Sequence, residues 1–157
     1  MRRKDREITD WAEMIGVLEK CDVCRLGLVD EGGPYIVPLN FGYEYDAGVL
    51  TLYFHGAREG RKLAAIRRQA AVCFEADCSH RLAAGDRACA FTMEYESVMG
   101  RGTAEMVSDE GEKERGLQLI MRHYAPGRAF AFTAAEVASV AVFKVTAAEF
   151  TGKRLTR

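Results

Sequence analysis

The sequence predicts an α+β domain, mainly β, in which an antiparallel sheet of about six strands closes on itself and carries two or three inserted helices. Three observations predict this. Short runs rich in β-branched and aromatic residues alternate with glycine turns such as Asp30-Glu31-Gly32-Gly33 and Asp46-Ala47-Gly48. Stretches near residues 9–18, 58–68 and 108–124 switch to a helical period. The joints between these runs are short. At 157 residues, with 48% apolar and 29% charged residues, the chain can bury one core, so residues 1–157 are read as a single domain without internal repeats.

Taken in order, Thr9 and Asp10 can cap a helix whose stripe is Trp11, Met14, Ile15 and Leu18, with Glu13 placed for a capping box. Residues 23–29 read as a strand, and the turn at Gly32-Gly33 leads into a second arm over residues 34–43. Pro38 cannot donate a ladder bond, so that arm suits an edge, a bulge or a break. Residues 49–54 form a third strand that ends at His55-Gly56. A helix with Leu63 and Ile66 on its buried side follows, then a strand at 71–76 and a loop at 78–87. Residues 89–107 exceed a typical strand, and Gly100 and Gly102 predict a bend or bulge. Asp109 and Glu110 suit a helix start, Leu117, Ile120, Met121 and Tyr124 its apolar stripe, and Pro126-Gly127 its end. Residues 137–145 are β-like, and the basic tail Lys153-Arg154-Leu155-Thr156-Arg157 reads as solvent-facing.

With 22 basic and 23 acidic residues, no whole-protein field attracts nucleic acid or an anionic membrane surface. No stretch approaches the roughly 20 apolar residues of a membrane span, and the basic start leads into no apolar segment, which predicts a soluble cytoplasmic protein. Five cysteines, an odd number, argue for reduced thiols. Cys21-Asp22-Val23-Cys24 has metal-ligand or redox spacing, and Cys73, Cys78, His80 and Cys89 could add zinc ligands. No second Cys-x2-Cys matches it, so no metal site is assigned and a zinc-stabilised structural domain stays an alternative.

The most informative segment is Tyr53-Phe54-His55-Gly56-Ala57-Arg58-Glu59-Gly60-Arg61-Lys62. A strand ends there in small residues and a helix starts with unpaired amides and basic side chains, which suits a phosphate. The same bases also fit the solvated face of an ordinary helix. His55 suits either a hydrogen-bonded strand end or an acid–base role. Asn40, in Val37-Pro38-Leu39-Asn40-Phe41-Gly42-Tyr43, can read a polar ring edge or satisfy a strand-end carbonyl. Ser97, in Tyr95-Glu96-Ser97-Val98-Met99-Gly100, can bond a heterocycle or complete a bulge. No Walker pattern and no dinucleotide Gly-x-Gly-x-x-Gly occurs.

These segments, with Met1-Arg2-Arg3-Lys4-Asp5-Arg6-Glu7-Ile8, Cys24-Arg25-Leu26-Gly27-Leu28 and Tyr95 to Gly102, make the chain resemble the pyridoxamine 5′-phosphate oxidase-like flavin-binding split barrels, in particular the nitroimidazole-resistance branch. The resemblance implies a six-stranded antiparallel split β-barrel. It implies a homodimer with flavin mononucleotide (FMN), or flavin adenine dinucleotide (FAD) in its place, between subunits. Carried over by position, Gly60, Arg61 and Lys62 hold the phosphate, Pro38, Leu39, Asn40, His55, Gly56 and Ala57 line the flavin, and Ser97 and Val98 approach its ring edge. His55 is the implied catalytic residue. The implied function is reduction of nitroimidazole-type or other small electron acceptors; a non-enzymatic flavin- or haem-related binding module is the alternative. The basic substrate-phosphate motifs of true pyridoxamine phosphate oxidases are missing near the C-terminus, where only Lys153 and Arg154 offer contacts.

Overall fold

In the computed structural model, which describes residues 3–156, helix α1 (Trp11–Leu18) opens where Asp10 accepts a hydrogen bond from the Ala12 amide. Met1, Arg2 and Arg157, which belong to the terminal motifs read from the sequence, lie outside the described residues. Glu13 completes no capping box and instead pairs with Arg154, Oε2 to Nη1 at 2.7 Å. The buried face of α1 is Met14, Val17 and Leu18, whereas Trp11 stays 40% exposed and stands edge-on to Phe150.

Eight strands form one antiparallel sheet: β1 (Glu7–Ile8), β2 (Cys24–Asp30), β3 (Gly33–Leu39), β4 (Gly42–Asp46), β5 (Val49–Gly56), β6 (Ala71–Ala83), β7 (Thr92–Met106) and β8 (Ala141–Leu155). They run in the order β3-β2-β6-β7-β8-β5-β4, with β1 against the far end of β8. Two expectations are corrected here. Among the described residues the strands number eight instead of six, and the sheet does not close, because β3 and β4 end the path without pairing. They are joined only through Asn40 and Phe41. Pro34 and Pro38 leave β3 short of donors, as an edge strand permits, and the Phe41 amide donates to the Tyr124 hydroxyl at 3.1 Å instead of to a strand.

Several element boundaries also differ. The loop expected at 78–87 is mostly strand: β6 runs to Ala83, with its register against β7 shifting between Cys78 and Arg81. The predicted bend in β7 is present as a register shift between Arg101 and Thr103, where a Cβ on Gly102 would meet the Thr146 carbonyl oxygen at 2.5 Å. Residues 134–139 form a helix, α4 (Ala134–Ser139), closed by a Thr133–Glu136 capping box. β8 then continues to Leu155, so Lys153 and Arg154 lie within the sheet and are only half-exposed.

Phe41, Phe54, Phe74 and Phe143 are fully buried at the centre, and Phe54 stacks on Phe143 with centroids 5.2 Å apart. Helix α2 (Arg61–Arg68) covers this core with Leu63 and Ile66. Helix α3 (Glu110–Tyr124), capped by Asp109, builds a smaller core with Leu117 and Leu119 beside Tyr53 and Val142. Alternation along β5 sends Phe54 into the core and His55 outward, which positions the site.

Candidate functional site

The site begins where β5 stops. Gly60 takes φ 140°, a conformation L side chains rarely adopt, and turns the chain into α2, whose first amides receive no side-chain cap. On the first turn of that helix, Lys62 folds back over the strand end. A Cβ built on Gly56 would lie 2.7 Å from Lys62 Nζ and 2.9 Å from its Cε, so the ammonium occupies space that only glycine leaves open. No carboxylate pairs with Lys62 among the described residues. Burial, and then the Lys62 charge, push the His55 imidazole below its ordinary value, so at neutral pH the ring is uncharged.

Pro38, Leu39, Asn40 and His55 gather around a cavity of about 180 Å³, joined by Val23. Its walls are fixed from behind by the last turn of α3. The Tyr124 hydroxyl donates to the Asp22 carbonyl at 2.7 Å, accepts from the Phe41 amide and meets the Asn40 side chain. Beside it, His123 Nε2 lies 2.8 Å from the Cys21 carbonyl oxygen. Neither Val23 nor Tyr124 is a sequence-predicted site residue. Tyr124 reads as one more member of an apolar helix stripe, and its hydrogen-bond partners lie 83 and 102 positions away.

The remaining sequence-predicted residues divide. Gly56 adjoins the cavity through His55, and Ala57 and Gly60 form the exposed turn between Gly56 and Lys62. Arg61 points elsewhere: its Nε pairs with Asp30 Oδ2 at 2.5 Å and its guanidinium lies 4.1 Å over the Tyr35 ring. Ser97 and Val98 line no part of this cavity. They sit mid-β7 opposite Asp77 and Ala76 on one side and Lys153 and Gly152 on the other, with Val98 fully buried. An open groove of about 780 Å³ crosses the outer sheet face between Trp11, Ile36, Met99 and Phe150. Among the described residues, no three His, Cys, Asp or Glu side chains converge to hold a metal ion, and no helix is long and apolar enough to cross a membrane.

Comparison with known proteins decides the lineage. The family model described as pyridoxamine 5′-phosphate oxidase matches residues 10–154. The chain belongs to this family. A family member's fold is also seen in a candidate 5-nitroimidazole antibiotic resistance protein from Bacteroides thetaiotaomicron, 37% identical, with 94% of this chain and 85% of that one covered and a TM-score of 0.81. The flavocytochrome Anf3 of Azotobacter vinelandii is 27% identical over 100% of this chain and 72% of its own, with a TM-score of 0.84. An FAD- and haem-binding protein of Mycobacterium smegmatis, 20% identical over 97% of this chain and 74% of its own with a TM-score of 0.83, shares the fold. Among the curated proteins, none matches this member of the family.

Proposed function

We propose that this protein is an FMN flavoprotein that reduces nitroimidazole-type or other small electron-accepting substrates. The observation that carries the reading is the uncommitted Lys62 ammonium, held over Gly56 and beside His55 at the uncapped start of α2. Amides at a helix start together with an unpaired lysine suit a phosphate group. The ring would then lie toward Pro38, Leu39 and Asn40, with the Asn40 amide facing its polar edge. The flavocytochrome and the nitroimidazole resistance protein among the similar structures support flavin and nitroimidazole chemistry respectively.

A cavity of about 180 Å³ is smaller than the roughly 300–1,000 Å³ of a cofactor pocket. One protomer therefore supplies only part of the enclosure. A homodimer that seats its partner on the apolar outer groove would supply the rest, and Ser97, which sits mid-β7 away from this cavity, would reach a cofactor only through such an assembly.

When bound, the flavin supplies the hydride or electrons that the substrate accepts. The chain's own residues bind and orient. Lys62 neutralises a phosphate, Asn40 is held in place by Tyr124, and His55 offers a neutral ring N–H to a substrate oxygen. Because the His55 pKa is lowered, its protonated form is scarce at neutral pH, so a step that draws a proton from it accelerates as pH falls toward that pKa.

Anaerobic photoreduction of the FMN-loaded protein followed by addition of metronidazole tests the reading. Reoxidation with formation of the reduced nitro product is expected; a reduced flavin that stays inert would return the protein to a flavin-binding or sensing role. The haem-binding relatives support a second reading, in which FAD or haem is held instead. A Soret band on titration with haemin, with no response to FMN, would favour it.

A further inference from the structure

Two thiols that no sequence spacing pairs meet between α1 and β6. Cys21, fully buried just beyond α1, donates to the Val17 carbonyl at 3.2 Å, and Cys78 reaches the same oxygen from β6 at 3.9 Å. Sharing one acceptor oxygen brings the two thiols side by side. Cys24, the partner that the Cys-x2-Cys spacing suggests, is instead buried within β2 opposite Leu39 and Ala76. Burial pushes its thiol up to about 12. Cys73 and Cys89 are exposed, and neither thiol bonds to another.

Cys78 is only half-buried and stands where the β6 register shifts, next to Ser79 at φ 59°. An irregular strand position lets a side chain move more readily than a regular ladder does. The Ser79 hydroxyl lies 3.6 Å from Cys78 Sγ. Of the pair, Cys78 meets solvent and Cys21 does not. Burial, then the neighbouring Cys78, raise the Cys21 thiol above its usual range, so it stays protonated and inert to oxidants in bulk. Its nearest thiol neighbour is Cys78, which shares the Val17 carbonyl with it.

We infer that Cys21 and Cys78 form a redox-sensitive dithiol that closes to a disulfide when hydrogen peroxide reaches Cys78. The Cys78 sulfur attacks one peroxide oxygen and breaks the O–O bond. This gives a sulfenic acid and releases the first water. The Cys21 sulfur then displaces the sulfenic hydroxyl, the S–S bond forms, and the Cys21 proton leaves with that hydroxyl as the second water. The two thiols lose two electrons and the hydrogen peroxide gains them. Because the Cys21 carbonyl is held by His123 and Asp22 alone separates Cys21 from Val23, closure acts on one wall of the cavity. The inference does not depend on which cofactor the cavity takes.

The test uses the whole chain carrying Cys73→Ser and Cys89→Ser, treated with hydrogen peroxide, alkylated under denaturing conditions and mapped by peptide mass. A Cys21–Cys78 linked peptide with the loss of two hydrogens is expected, reversed by dithiothreitol, with Cys24 still alkylated. Adding Cys24→Ser leaves the linkage intact. Adding Cys21→Ser instead lets dimedone trap a sulfenic acid at Cys78. A Cys21–Cys24 linkage, or Cys78 driven to sulfinic acid while Cys21 remains alkylatable, would overturn the inference. The mapping without any change at buried Cys21 decides the matter even where its serine variant fails to fold.

Discussion

Lys62 lies directly over Gly56, its Nζ 2.7 Å from where a Cβ on that residue would stand. A basic side chain thereby caps the end of a strand without a carboxylate of its own. Lys62→Met should weaken FMN about 10- to 100-fold, the worth of a hydrogen bond to a charged group. Riboflavin, which lacks the phosphate, should lose little. Gly56→Ala should displace the lysine tip and weaken FMN in the same selective way while the far-ultraviolet circular dichroism stays unchanged. Equal losses for FMN and riboflavin, read by fluorescence quenching, would remove Lys62 from the phosphate site.

The same lysine acts on His55. Burial lowers the imidazole pKa first and the Lys62 charge lowers it further, so removing the charge should raise it. An NMR titration of Lys62→Met should place the His55 midpoint above that of the unaltered protein, though still lowered by burial. Inorganic phosphate bound beside Lys62 should shift it the same way. An unmoved midpoint would mean that the two groups are not coupled.

Tyr124 joins the β3–β4 break to the segment after α1 through Asp22, Phe41 and Asn40. Tyr124→Phe keeps the ring and leaves the Phe41 amide without its partner, at a cost of about 1–3 kcal/mol. Urea denaturation should show a lower midpoint, and FMN affinity should fall because Asn40 loses its support. A variant as stable and as tight-binding as the parent would make the hydroxyl dispensable.

Acid should loosen the opposite end of the sheet. Burial alone would raise the Glu96 pKa, but hydrogen bonds from Lys20, Arg154 and Ser79 outweigh it and hold the carboxyl at about 2. A folded-state pKa depressed below the ordinary carboxylate value gives stability that is present above the unfolded pKa and is lost as pH falls from there toward about 2. Glu96→Gln should therefore flatten the acid limb of a stability-versus-pH curve. An acid limb identical to the parent's would place the acid-sensitive group elsewhere.

The local parts of the fold were legible because their signals are local. Gly32-Gly33 turns, the Asp10 and Asp109 caps and the switch from strand to helix at Gly56 to Lys62 all act within a few residues. What escaped depends on distant partners. The C-terminal stretch reads as a solvated basic tail, yet Arg154 pairs with Glu96 and Glu13 and lies inside β8, so its charge is spent on residues far along the chain. The break at Asn40-Phe41 was visible only as an awkward proline, because the group that stabilises it, Tyr124, belongs to another element. Helix α4 is the exception: its Thr133-x-x-Glu136 capping box is a local signal, yet residues 137–139, which end the helix, read from the sequence as the start of a β-like run. In the site, Pro38, Leu39, Asn40 and His55 were legible and do meet. Arg61 was not separable from Lys62, since only the fold brings Asp30 and Tyr35 beneath it.

The central claim is that this chain holds a flavin through Lys62 and the cavity beside His55. Titration of the purified protein with FMN, followed by flavin fluorescence and absorption, tests it most directly. The account predicts saturable quenching approaching one flavin per chain, with a shifted visible band that Lys62→Met weakens. A flavin whose fluorescence and spectrum stay those of the free molecule at every protein concentration would contradict it.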